Sequence, residues 1–371
     1  MKKVCIVTAS RSEYGLLRWT IDAVRKDPEL ELQLVVTGTH LQADQGLTYK
    51  RIEEDGFPIA ARVDMQLDAS SKIGVVDSMG RCSSGFARTF ADLSPDIVVV
   101  LGDRYELLPI CSAAVVMNIP IAHIAGGEVT LGAIDDKIRN AVTMMASLHF
   151  PNGEEACRNI IRMRGSSENV LNVGEPCIEN YLRLNLSDRE TISLGLGLDA
   201  SKDWYLVTLH PETNLTLEEN VSMAENLLQV LSEVDGEVVI TGANADFGGP
   251  VFNGMFVSAA KSRDNIHFFE SLGQIRYLSC MKECFCVVGN SSSGVIETPF
   301  LGVPAVNIGN RQTGRRICAN VRCSDSTYDG IKSAIAMVTA KRRYASDGSF
   351  GDGTTSSRIV SGLKRFLNER K

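Results

Sequence analysis

No run of 18 consecutive apolar residues occurs in the 371-residue chain, so no membrane-spanning helix is expected. Cations are the minority charge. Lys and Arg total 38 against 45 Asp and Glu, which leaves a formal net charge of −7. Such a surface repels nucleic acid and anionic membranes, and neither is expected as a partner. An anionic small molecule would need a site where local cations and backbone amides outweigh the global field. No CxxC pair occurs among the ten cysteines. Cys280, Cys284 and Cys286 lie close in sequence, but helix-then-strand spacing scatters their side chains, so no metal is expected there. Missing too are the GxxxxGK[ST] P-loop, the GxGxxG dinucleotide fingerprint, the GxSxG elbow and HExxH, which weakens ATPase and NAD-dependent readings.

Hydrophobic residues make up 44% and charged residues 22% of the chain, enough apolar material for two packed cores. Ten free thiols suit a reducing compartment. Met1-Lys2-Lys3 leads directly into a six-residue strand-like run, too short for a secretory apolar region, so a cytoplasmic protein is expected. Short β-branched runs at 4–8, 32–36, 97–101, 119–124, 170–173, 204–209, 238–241, 266–268, 286–289 and 305–308 read as strands. Amphipathic stretches such as 14–26, 107–117, 136–147, 217–231 and 292–300 read as helices between them. Cys5 and Cys286 fall inside strand-like runs and read as core. Helix-linked, continuously apolar strands imply parallel sheets covered on both faces. The pattern predicts an α/β chain of two doubly wound domains, 1–182 and 183–371. The last helix, near 356–369, follows a Gly/Ser/Asp-rich segment long enough to let it return to the first domain.

In such sheets, ligands bind beyond the carboxyl ends of the strands. After the first strand, Ser10-Arg11-Ser12-Glu13 opens a helix, and Arg11 adds a cation to the positive dipole end. Gly102-Asp103-Arg104 follows the third strand and sets a carboxylate beside a guanidinium. Gly126-Gly127-Glu128 follows the next and leads to Asp135-Asp136. One acid at a strand end is an ordinary solvated residue or cap, whereas several at successive strand ends point to acid/base work. In the second half, His210-Pro211 ends the first strand. Gly289-Asn290-Ser291-Ser292-Ser293-Gly294 then forms a strand–turn–helix nest suited to a diphosphate. Glu297, farther along that helix, suits the two hydroxyls of a ribose. Gly309-Asn310-Arg311-Gln312 supplies a further cation.

Together, Arg11-Ser12-Glu13-Tyr14, Gly102-Asp103-Arg104, Gly126-Gly127-Glu128 with Asp135-Asp136, His210-Pro211, Gly289 to Gly294 and Gly309 to Gln312 resemble the hydrolysing UDP-N-acetylglucosamine 2-epimerases. The match is collinear from about residue 4 to 320. The resemblance implies a GT-B fold, two Rossmann-like domains with a central cleft, no metal or redox cofactor, and a homodimer or homotetramer. It implies that Arg11, His40, Arg104, Ser291, Ser292, Glu297 and Arg311 hold the UDP-sugar. Asp103, Glu128, Asp135 and His210 are then the catalytic set. Ala125 stands where the family pattern often carries a carboxylate, which bears on the identity of the sugar.

The implied reaction turns UDP-N-acetylglucosamine into N-acetylmannosamine and UDP, for sialic-acid-type biosynthesis. UDP is eliminated to give a 2-acetamidoglucal, which is then rehydrated. Alternatives are the same reaction on a UDP-2,4-diacetamido-6-deoxy sugar, a non-hydrolysing 2-epimerase, and a GT-B glycosyltransferase or nucleotide-sugar binder.

Overall fold

The computed structural model describes the chain except residues 44, 130–133, 213, 244–247 and 370–371. The chain divides into two compact units, Met1–Glu179 with Gly351–Lys371, and Asn180–Phe350. The first changeover thus lies at Glu179/Asn180, just before the 182/183 boundary, and the last helix, Thr355–Glu369, returns to the first unit.

The first unit is a six-stranded sheet. Its strands are β1 (Lys2–Thr8), β2 (Leu30–Thr37), β3 (Ile59–Val63), β4 (Ile97–Leu101), β5 (Ile121–Ile124) and β6 (Leu148–Phe150). They lie in the order β3-β2-β1-β4-β5-β6, and every pair is parallel. β4 is five consecutive β-branched or leucine residues, all buried, as a strand with helices on both faces requires. Leu17 and Ile21 of the helix Arg11–Lys26 pack on one face with Ile359, Leu363 and Phe366 of the last helix. Cys82, Phe86 and Phe90 of the helix Lys72–Leu93 cover the other face, beside Cys5 and Val98.

The second unit repeats the design with β7 (Trp204–Thr208), β8 (Glu237–Thr241), β9 (Ile266–Phe269), β10 (Cys286–Gly289), β11 (Ala305–Ile308) and β12 (Val321–Ser324). Their order is β12-β11-β10-β7-β8-β9, again all parallel. Counted from the first strand of each unit, both sheets run 3-2-1-4-5-6. The direction of winding therefore reverses between β1 and β4, and between β7 and β10. Loops leaving the carboxyl ends of those pairs diverge and leave a crevice in each unit.

Residues 170–173 are not a strand. They run beside β6, with His149 donating to Asn169 O (2.8 Å) and Leu171 to His149 O (2.9 Å), but only one bridge forms, His149 to Val170. Pro151 follows β6 and has no N–H with which to continue the ladder. Strands β3, β6 and β12 lie outside the runs read from sequence. β3 is half-exposed, with Arg62 on its outer side, and β12 exposes Arg322 and Cys323. No described helix is long and apolar enough to cross a membrane.

Candidate functional site

In the first unit the crevice lies beyond β1, β4 and β5. Ser10 caps the helix Arg11–Lys26, its hydroxyl accepting from Glu13 N, which leaves Arg11 exposed at the first helical position. Glu13 turns back so that Oε2 accepts the Ala9 amide at 2.6 Å. It is buried, and desolvation pushes its carboxyl up to about 7, opposed by the Ala9 amide and the Arg104 charge. Arg104 in turn donates from Nη2 (2.7 Å) and Nε (3.3 Å) to Oε1 of Glu106. Glu106 is wholly buried. One guanidinium therefore stands between two sequestered carboxyls, a fixed cation at the strand ends.

Asp103 follows β4 and Glu128 follows β5, and the two strands are neighbours. Arg139, from the helix Ile134–Met145, ties their loops together. Its Nη2 pairs with Oδ2 of Asp103 and its Nη1 donates to the Glu128 carbonyl at 3.0 Å. Glu128 also accepts from Asn152 Nδ2 at 2.7 Å, and the same amide reaches Glu175 at 2.5 Å. Asp135 is exposed in the first turn of the Arg139 helix, one turn before Arg139 on the same face. The connection through 130–133 lies outside the described residues.

The glycines of this loop are dictated by space. A Cβ on Gly126 would lie 2.7 Å from His123 Nδ1, and one on Gly127 would collide with the Ala156 carbonyl. Ala125, just before them, has φ +60°.

His40 is placed differently from the expectation that it lines the site. It is fully buried, with Nε2 3.0 Å from Thr8 Oγ1 and Nδ1 2.8 Å from Thr48 Oγ1. Burial lowers its pKa to about 4. Both of its ring nitrogens are thus engaged beneath the strand ends.

In the second unit, Asn290 joins the two loops of the crevice. It is fully buried. Its Oδ1 accepts from His210 N and its Nδ2 donates to His210 O, both at 2.8 Å. The Asn290 carbonyl accepts from Arg311 Nη1 (3.2 Å) and Gln312 Nε2 (2.9 Å). Buried Glu212 accepts the amides of Asn310 (2.8 Å) and Arg311 (3.0 Å) through Oε1. His210, the Ser291–Ser292 turn and Arg311 are thus held around one asparagine.

The helix Ser293–Leu301 starts from that turn. Ser291 and Ser292 are partly exposed at its amino end, and Tyr277 OH lies 2.7 Å from Ser293 Oγ. Glu297 is one turn in. Its Oε2 accepts from Tyr181 OH at 2.6 Å, and desolvation pushes its carboxyl up to about 7 against the pull of that phenol.

Arg139, Glu106, Asn152, Asn290 and Glu212 were not singled out from sequence. All but Glu106 act through contacts more distant along the chain, and a buried polar side chain inside a motif carries no sequence mark of its partner. Among the described residues, no group of three His, Cys, Asp or Glu is arranged to hold a metal ion. Cys280, Cys284 and Cys286 are buried, and burial pushes all three thiols up.

A family model described as UDP-N-acetylglucosamine 2-epimerase matches residues 22–364. A Campylobacter jejuni protein named GDP/UDP-N,N'-diacetylbacillosamine 2-epimerase (hydrolyzing) is 36% identical over 342 residues, 92% of this chain and 88% of that one. The Escherichia coli polysialic acid biosynthesis protein P7 is 37% identical over 317 residues, 85% of this chain and 80% of that one. Among solved structures, the UDP-GlcNAc 2-epimerase of Neisseria meningitidis bound to UDP-GlcNAc aligns with a TM-score of 0.82 at 17% identity. That alignment covers 98% of this chain and 100% of the other, and the fold class is GT-B.

Proposed function

Because this chain belongs to the UDP-N-acetylglucosamine 2-epimerase family, we propose that it is a hydrolysing 2-epimerase of a UDP-linked 2-acetamido sugar. The observation that carries the reading is the pair of carboxylate-bearing loops after β4 and β5, with Asp103 and Glu128 tied together by Arg139.

The hydrogen at C2 of such a sugar is not acidic, because no carbonyl is conjugated with it. Its removal becomes feasible when the C1–O bond breaks in the same step and UDP leaves. A carboxylate takes the proton, the electron pair forms the C1–C2 double bond, and the C1–O pair departs with the diphosphate. Water then adds across that bond, hydroxyl to C1 and a proton to the opposite face of C2. The products are the 2-epimeric free sugar and UDP. Asp103, Glu128 and Asp135 share the proton transfers. Arg11, Arg104, Arg311 and the amino end of the helix after Ser291–Ser292 stabilise the departing charge, with His210 as a phosphate partner. His40 serves by bracing the loop after β1.

Two sugars fit this reading. A 2,4-diacetamido-6-deoxy sugar is favoured by the name of the 36%-identical Campylobacter jejuni relative and by Ala125 beside the Gly126-Gly127 turn. UDP-N-acetylglucosamine, with N-acetylmannosamine as product, is favoured by the similarity to a polysialic acid biosynthesis protein. The test is proton NMR of the protein with each UDP-sugar in deuterated water. A free 2-epimeric sugar carrying deuterium at C2, with free UDP, is the expected result for one of them. A labelled sugar still joined to UDP would make the enzyme non-hydrolysing, and no exchange with either would overturn the epimerase reading.

A further inference from the structure

We propose that Tyr181 is a positioning residue of the nucleotide subsite: its hydroxyl engages one oxygen of Glu297 and leaves the other to accept the vicinal diol of the ribose. This rests on the reading above that the second unit binds UDP.

Glu297 is half-buried on the helix that starts from the Ser291–Ser292 turn. Tyr181 comes from the helix Pro176–Arg183, far away in sequence, and meets Glu297 Oε2 at 2.6 Å. Its hydroxyl also lies 3.2 Å from the Met281 sulfur, but a carboxylate oxygen is much the stronger acceptor. The ring is fixed independently of the hydroxyl. It tilts against Phe300 with centroids 6.3 Å apart and packs on the core formed by Leu196, Trp204 and Met281. The phenol is therefore held in place by its ring, and it fixes Oε2 of Glu297 in turn. A carboxylate free to rotate would present its oxygens in many directions to two hydroxyls set rigidly on a furanose ring.

The phenol has a second effect. Burial opposes the charge on Glu297 and the Tyr181 hydrogen bond favours it. Tyr277, from the helix Gly273–Glu283, also faces Glu297, and burial pushes it up to about 12, so it stays neutral. Glu297 thus ionises near neutrality, and the ionised form is the better acceptor for two hydroxyls. Removing the phenol shifts the balance toward the protonated acid.

The experiment is calorimetric titration of the full-length protein with UDP from pH 6 to pH 9, for wild type, Tyr181→Phe and Glu297→Gln. Phenylalanine keeps the ring and its packing, so the fold is retained. Loss of the hydrogen bond that orients the carboxylate and favours its charge weakens UDP about fivefold at pH 7, and less at pH 9, where the carboxyl is ionised with or without the phenol. Glu297→Gln binds weakly, with no such pH dependence. With 2'-deoxy-UDP, which lacks one of the two hydroxyls, wild type and Tyr181→Phe come within about twofold of each other at pH 7. Unchanged UDP affinity in Tyr181→Phe at pH 7, or the same loss with 2'-deoxy-UDP as with UDP, would overturn the assignment. Failure of the wild type to bind UDP at all would instead overturn the nucleotide reading on which it rests.

Discussion

Gly289 has φ +142°, and a Cβ there would collide with the carbonyl of Thr208 on the neighbouring strand. Gly289 pairs directly with Thr208 of β7, so the space a Cβ would need is already filled. Gly289→Ala is expected to destabilise the second unit by about 3 kcal/mol or more. Thermal unfolding checks this, and UDP affinity should fall with it. Asp103→Asn keeps the shape of the loop but removes the charge facing Arg139. A drop in turnover of at least about a hundredfold is expected, with UDP binding changed little. Turnover near wild type would take Asp103 out of the chemistry. These residues were legible as candidates because they follow strands. Arg139 was not, since its meeting with Asp103 depends on where a helix 36 residues later is laid down.

Two adjacent strands bring His123 and His149 into register. Both are fully buried. His123 bonds Gly102 O (2.8 Å) and Thr143 Oγ1 (3.2 Å), while neither ring nitrogen of His149 has a partner among the described residues. Burial lowers the pKa of His123 to about 4; burial, with Arg164 and His123, lowers that of His149 to about 3. The unfolded chain binds protons at these groups below about pH 6.5 and the folded chain does not, so their stability is lost as pH falls from there. Glu13 and Glu297, pushed up to about 7, act with the opposite sign: what they contribute at low pH is lost as pH rises toward 7. The wild-type curve is the difference of the two sets, so a variant is the cleaner probe. His149→Leu should gain on wild type by about 2 kcal/mol between pH 7 and pH 5 in denaturant titrations. An identical pH dependence would mean that His149 does not stay neutral.

At the scale of the molecule, the first unit is discontinuous and the second is one segment, Asn180–Phe350. The helix Thr355–Glu369 contributes Ile359, Leu363 and Phe366 to the first core, and a Cβ on Gly362 would lie 2.6 Å from the Phe150 ring. A chain ending at 350 should therefore lose the cooperative unfolding of its first unit, while the 180–350 segment folds alone. That segment should also bind UDP if the nucleotide assignment holds. UDP at a hundred times its dissociation constant should raise its stability by about 2.7 kcal/mol, which calorimetry would detect.

The sequence by itself determined the class of the protein. Continuous apolar strands can be satisfied only inside a sheet covered on both faces, and the motifs that follow them can lie only at strand ends. That local logic placed Arg11, Asp103, Arg104, Glu128, His210, Ser291 and Arg311 at the two crevices. Edge strands such as β3 and β12 escaped it, because an edge needs no continuous apolar run. Only the tertiary structure decided what holds each site residue: Glu106 under Arg104, Arg139 between Asp103 and Glu128, Asn290 between His210 and Arg311, Tyr181 on Glu297. It also buries His40 between Thr8 and Thr48. Apart from Glu106 and Arg104, two positions apart, such contacts join residues about ten to more than a hundred positions apart, and which polar groups meet in a dry interior is settled by packing, not by the pattern of neighbours along the chain.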